Sequence, residues 1–223
     1  MEGENIMQTI FITGASFGMR KLFFFVFVLL GVFGIWSGNV AVAAQSGQEK
    51  ILVAYFSRAD ENYGVGYITK GNTRIVAEMI AAKTGGDLFE IRKSEPYPAG
   101  YEDCKTVASR EKATNARPSL TSMVENMADY DVIFIGYPIW YGDAPMPVYT
   151  FLEGYDFSGK KIIPFCTHGG SGLSGTEQRI MLISPKATLL PGFAIDGRTA
   201  QNQSGQTDEK VTAWLKRIGM INS

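Results

Sequence analysis

VIFIGYPIWYGDAP fills residues 132–145. Its first six residues, Val132 to Tyr137, are β-branched, aromatic or small, with no polar residue alternating between them. A strand with one solvated face alternates, whereas a run apolar on both faces must be covered on both. Cover on both faces points to a parallel sheet, whose crossover connections are usually helices. Directly after the run come Pro138, Ile139, Trp140, Tyr141, Gly142 and Asp143. One stretch therefore holds a buried central strand and an aromatic loop at its carboxyl end.

Runs of the same kind recur on either side. Ile51 to Phe56 (ILVAYF), Leu88 to Ile91 (LFEI) and Lys161 to Cys166 (KIIPFC) read as strands. Ala187 to Leu190, continuing near Phe193 and Ala194, reads as a fifth. Pro164 is an awkward strand residue, because it has no N–H to give to a ladder. Helical segments lie between these runs. Thr73 to Thr84 spaces Ile75, Val76, Met79 and Ile80 at helical intervals, and Gly85 with Gly86 stops it. Tyr101 to Ala116 reads as a polar helix ended before Pro118, and another helix starts over Pro147 to Leu152. Thr176 to Ile183 and Asp208 to Ile218 complete the set, the last with Val211, Trp214, Leu215 and Ile218 on one face. The alternation of strands and helices predicts an α/β protein with helices on both faces of a parallel sheet.

In such a sheet, ligands sit beyond the carboxyl ends of the strands. Three loops there carry chemistry. After the first strand, Ser57 is followed by residues 58–70 and then Gly71, Asn72 and Thr73 at a helix start. Backbone amides and hydroxyls at such a position make an anion cradle. A second reading is that Asn72 or Thr73 only caps the helix. No G-x-x-x-x-G-K-[ST] pattern is present, so this is not a nucleoside-triphosphate loop. After the third strand, Trp140 and Tyr141 offer flat faces for stacking on a ring; Trp140 packed on its own domain is the competing reading. After the fourth come Thr167, His168, Gly169, Gly170, Ser171 and Gly172, with the single histidine of the chain. One histidine makes a poor zinc site, and no G-x-S-x-G elbow supports hydrolase chemistry.

Composition narrows the classes further. The 223 residues are 45% hydrophobic and 19% charged, with a net charge of −1. That excludes a disordered chain. The balance of 21 Lys+Arg against 22 Asp+Glu gives no basic excess for nucleic acid. Two cysteines do not make a disulfide scaffold. The N-terminus differs from the rest. Arg20 and Lys21 precede the apolar run Leu22 to Trp36, and small residues from Val40 to Ala44 follow. This is the pattern of a signal peptide. The expectation is an N-terminal extension and signal peptide over 1–44 and one domain over 45–223, exported and periplasmic. An uncleaved membrane anchor is the alternative. Met19 fits the true start, because residues 1–18 add a polar stretch that a signal peptide does not need.

The sequence resembles the flavodoxin-like family of flavin mononucleotide (FMN) proteins, above all its bacterial subgroup with YFS, GYPIW and THGGSG motifs. Here these read Tyr55-Phe56-Ser57, Gly136-Tyr137-Pro138-Ile139-Trp140 and Thr167-His168-Gly169-Gly170-Ser171-Gly172. The resemblance runs from about Lys50 to Met220. It implies a flavodoxin-like, doubly wound, three-layer α/β/α fold with a five-stranded parallel sheet in the order 2-1-3-4-5. It implies FMN, with the phosphate held by Ser57, Gly71, Asn72 and Thr73. It implies ring contacts from Pro138, Ile139, Trp140, Tyr141 and Gly142, and from Thr167, His168, Gly169, Gly170, Ser171 and Gly172.

The function it implies is an FMN-dependent oxidoreductase, passing electrons from a reduced donor to a small acceptor such as a quinone. His168 is the candidate catalytic proton source. The alternative is a non-enzymatic electron carrier that docks redox protein partners. Such carriers are commonly strongly acidic, and a charge of −1 gives little long-range field. The insertion of residues 58–70 departs from the family's compact phosphate loop and either folds over the flavin or loops outward. Cys104 and Cys166 read as unpaired thiols, because the implied fold gives no reason to bring them together.

Overall fold

A computed structural model describes residues 49–222. The signal peptide and anchor expected within residues 1–44 lie outside the described residues. Among the described residues no helix is long and apolar enough to cross a membrane.

The chain begins with β1 (Ile51–Tyr55) and a short hairpin, β2 (Asp60–Asn62) and β3 (Gly66–Ile68). Then follow α1 (Asn72–Thr84), β4 (Asp87–Glu90), α2 (Tyr101–Ala113), β5 (Val132–Pro138) and α3 (Met146–Glu153). The remainder is β6 (Lys161–His168), α4 (Thr176–Ile183), β7 (Thr188–Leu189), β8 (Phe193–Asp196), α5 (Gly197–Asn202) and α6 (Ser204–Arg217). The main sheet runs β4-β1-β5-β6, with β7 and β8 both on the far side of β6, and every pairing is parallel. This is the expected order 2-1-3-4-5, with the fifth position shared by two short strands. Those two pair with β6 on either side of Pro164. The strand residue without an amide therefore faces the place where its neighbour breaks, at residues 190–192.

The alternation of faces explains the continuous apolar runs. Leu52, Ile133, Tyr137 and Ile162 point to one side, where Val148, Phe151 and Leu152 of α3 and Ile180 of α4 cover them. Val53, Phe134, Ile163 and Phe165 point to the other, against Val76 and Ile80 of α1 and Val211, Trp214 and Leu215 of α6. Each such fully buried aliphatic or aromatic side chain contributes roughly 1.5–3 kcal/mol. Gly136 in β5 is a packing requirement, since a Cβ there would come 2.1 Å from the Phe165 ring.

Three features depart from the expected elements. The insertion, for which no element was expected, forms its own antiparallel hairpin. β8 runs on to Asp196 and leads directly into α5, a helix with no apolar stripe to announce it. The polar helix α2 stops at Ala113, where Thr114 and Asn115 turn their amides back onto the last helical carbonyls.

Candidate functional site

A cleft of about 370 Å³ opens at the carboxyl edge of the sheet. That volume lies within the range of small-ligand sites. Its walls come from the segment after β1, from the ends of β5, β6 and β8 with the loops that follow them, and from the starts of α1 and α2. Of the residues expected to bind a ligand, Asn72, Pro138, Ile139, Trp140, Tyr141, Gly142, Thr167, His168, Gly169 and Ser171 line it. Ser57, Gly71, Thr73, Gly170 and Gly172 do not line it.

Those five have structural partners. Ser57 Oγ accepts the Arg74 N–H at 3.1 Å, and so satisfies one of the orphan amides of the α1 first turn. Gly71 allows a close approach: a Cβ there would meet Ser57 Oγ at 2.3 Å and the Arg58 carbonyl oxygen at 2.5 Å. Thr73 is buried, and its hydroxyl pairs with that of Thr167 at 2.9 Å, tying the start of α1 to the end of β6. The Gly170 N–H donates to His168 Nδ1 at 2.9 Å. The Gly172 carbonyl accepts from Cys166 Sγ at 3.5 Å.

Asn72, the first residue of α1, has a buried Oδ1 with no hydrogen-bond partner. Buried acceptors are normally satisfied, so this atom at the cleft wall suits a ligand hydroxyl or amide. No acidic residue occupies the first turn of α1. The helix dipole there is left free to favour an anion.

The aromatic loop after β5 is held from below. Trp140 and Asp143 exchange backbone hydrogen bonds at 2.8 and 3.0 Å across a turn with positive φ at both central residues, 51° at Tyr141 and 71° at Gly142. Glycine accepts that conformation readily and tyrosine does not. Asp143, only 2% exposed, anchors the turn. Its Oδ1 accepts from the Ala144 N–H at 2.9 Å and the Tyr149 hydroxyl at 2.5 Å, and its Oδ2 pairs with Arg179. Lys112 donates to the Tyr141 carbonyl and lies 4.0 Å from Asp143. Burial and the nearby Arg179 lower the Lys112 pKa. Trp140 packs edge-on against Phe56 and Tyr97, at centroid distances of 5.5 and 5.1 Å, and still borders the cleft. Tyr141 is the more open of the two aromatics, at 47% exposure.

His168 sits at the end of β6 beside Asp196 at the end of β8. Because its Nδ1 accepts a backbone N–H, the neutral ring carries its proton on Nε2. Burial lowers its pKa, against an opposing pull from Asp196. Burial also works against the Asp196 carboxylate, but hydrogen bonds from Arg198 and Thr199 outweigh it and hold the group below its ordinary value. Near neutral pH His168 is thus a neutral Nε2–H donor at the cleft wall.

Sequence reasoning did not single out the fourth loop, Asp196, Gly197 and Arg198, which lines the cleft. Reading the fifth strand two residues further would have exposed it. Tyr101, Cys104 and Lys105 at the start of α2 were also not anticipated as lining. Both cysteines are free and buried. Burial pushes the Cys166 thiol up to about 12 and raises that of Cys104, so neither is a ready nucleophile. The inserted hairpin folds inward across the cleft: Tyr63 at its tip lines the cleft beside Tyr101, and a Cβ at Gly169 would come 3.0 Å from its ring.

A parallel sheet in this order, with helices on both faces and a cleft where the strand-end loops meet, defines a doubly wound nucleotide-type α/β fold. The flavodoxin family profile matches residues 50–218, and the chain belongs to that family. It is similar to a flavoprotein from Bacteroides eggerthii DSM 20697, at 33% identity over 76% of this chain and 98% of that one, with a TM-score of 0.61. A flavoprotein from Bacteroides uniformis ATCC 8492 is similar at 32% identity over 75% of this chain and 98% of that one, also with a TM-score of 0.61. A flavoprotein in complex with FMN from Lactobacillus acidophilus NCFM shares the fold at 21% identity, over 69% of this chain and 97% of that one, with a TM-score of 0.53. No curated protein matches the chain.

Proposed function

We propose that the protein binds FMN in this cleft and acts as an exported oxidoreductase, taking electrons from a reduced donor and passing them to a small acceptor such as a quinone. The observation that carries the reading is the convergence of four strand-end loops on one cleft of about 370 Å³ in a chain of the flavodoxin family. Bound FMN supplies the reversible uptake and release of electrons. The chain supplies everything else. The start of α1 and the unpartnered Asn72 Oδ1 suit the phosphate and the sugar-alcohol hydroxyls. The Trp140–Gly142 turn and the loop from Thr167 to Ser171 form walls for the ring. His168 holds a proton on Nε2 at one wall. A quinone that takes two electrons also takes two protons to become its hydroquinone; water supplies these, while the neutral His168 Nε2–H can hydrogen-bond the acceptor's carbonyl oxygen as negative charge builds on it.

Export rests on the sequence pattern of residues 20–44. N-terminal sequencing of the secreted protein should find a new end near Ala43 or Ala44, and an intact leader there contradicts it. The enzymatic reading is tested by steady-state turnover with quinones together with a redox titration of the bound flavin. Saturable turnover with two-electron reduction supports the oxidoreductase. Reduction in separate one-electron steps with no turnover supports the carrier instead.

A further inference from the structure

The hairpin of residues 60–68 is an addition to the phosphate-side loop, and its position asks for an explanation of its own. Its base is fastened. The Arg58 guanidinium donates to the carbonyls of Glu61, Pro98 and Ala99 at 2.5–2.6 Å. Asn62 Nδ2 donates to the Ala59 carbonyl at 2.9 Å, and Glu61 accepts the Tyr101 N–H at 2.9 Å. With its root tied to the residues before α2, the hairpin is a fixed bar rather than a swinging flap.

The tip reaches the opposite wall. The Tyr63 ring lies 6.3 Å from that of Tyr101 on one side, and on the other it rests on Gly169, where a Cβ would be 3.0 Å away. The next residue, Gly64, has its Cβ position 3.5 Å from Arg198 Cδ. Loops after β6 and β8 and the start of α2 thus meet the hairpin tip at Tyr63 and Gly64. Tyr63 nevertheless remains 67% exposed, so its placement is not a demand of the core. The cations beside it are partly answered: Lys105 pairs with Glu102 and Arg198 lies 3.5 Å from Asp196. Such a mouth has aromatic faces and little net field, which suits a flat neutral ring with carbonyl oxygens better than a charged protein surface.

We infer that Tyr63, carried across the cleft by the hairpin, is a specificity-determining residue that admits small flat acceptors and keeps protein surfaces off the reacting ring. The inference rests on the flavin reading above and assigns the acceptor class for that same site. A rigid bar spaces a protein partner away from the cleft, and a quinone-sized molecule passes beside it.

The test uses the FMN-loaded protein, photoreduced and then mixed with benzoquinone or with cytochrome c. Each reduced protein gives up two electrons, to one benzoquinone with two protons or to two ferric cytochrome c molecules. In Tyr63→Ala the rate constant with cytochrome c should rise about ten-fold while that with benzoquinone changes less than about three-fold. FMN association, followed by fluorescence quenching, should also accelerate by about five-fold, a readout independent of turnover. Tyr67→Ala, on the same hairpin but 72% exposed and outside the cleft lining, should leave both measurements unchanged. An unchanged ratio of the two reoxidation rates in Tyr63→Ala, with FMN bound, overturns the size filter alone. Failure of FMN to bind the wild-type protein overturns the flavin reading itself.

Discussion

The loop after β5 and the loop after β1 leave neighbouring strands at the same edge of the sheet, and they are held by different means. After β5 the chain closes at once through Trp140–Asp143, and a buried carboxylate with three bonded partners and a nearby lysine fixes the turn. After β1 the chain makes an exposed hairpin before returning to α1, held mainly by one arginine on backbone carbonyls. The first loop is an extension of the core, so its geometry at the ring wall is fixed with the fold. The second is fastened to the core from outside, so its residues can be substituted without disturbing the sheet. Catalytic walls and selectivity elements are thereby separated in one cleft.

Removing Asp143 should do the most damage. Asp143→Ala leaves the Tyr149 hydroxyl and the Ala144 amide unpaired in the interior, and frees Arg179 and the strained turn. Stability should fall by about 3 kcal/mol in urea denaturation, with FMN affinity down about ten-fold. Arg58→Ala should cost less, about 1 kcal/mol, because its lost carbonyl contacts become accessible to water. Hydrogen exchange at the Glu61 and Tyr101 amides should speed up while the sheet amides stay protected. If Arg58→Ala destabilises more than Asp143→Ala, the contrast between the two loops is reversed. Ser57→Ala should be milder still, about 0.5–1 kcal/mol, the usual cost of an unsatisfied helix-start amide.

The smallest effect is a titration. The chain has one histidine, so a single imidazole signal reports on the cleft. Its NMR midpoint should lie below the ordinary 6.5, because burial disfavours the imidazolium. Asp196→Asn should lower it further, since Asp196 favours the charged form. A base whose folded pKa is depressed contributes stability above its unfolded pKa. That contribution is lost as pH falls through about 6.5 toward the folded value. A midpoint above 6.5 contradicts the environment described for His168.

The main sheet was legible because strands buried on both faces write continuous apolar runs, as at Ile51–Tyr55 and Val132–Tyr137. The strand-end rule then picked out half of the residues that line the cleft. The hairpin was not legible for a physical reason. Asp60–Asn62 and Gly66–Ile68 pair only with each other, and little of them is buried, so no periodic pattern marks them. Asp143 reads in sequence as the one acid in an aromatic loop. Its role depends on Arg179 and Lys112, more than thirty residues away on either side. The stacking expected of Trp140 is shared with its own core, because Phe56 and Tyr97 enclose one side of it.

The most direct test of the central claim is titration of the flavin-free protein with FMN. The account predicts saturable binding at one site per chain, with the flavin band near ~450 nm perturbed and its fluorescence quenched, and weaker binding in Asp143→Ala than in Tyr67→Ala. An absorbance and fluorescence unchanged from free FMN at all protein concentrations would contradict it.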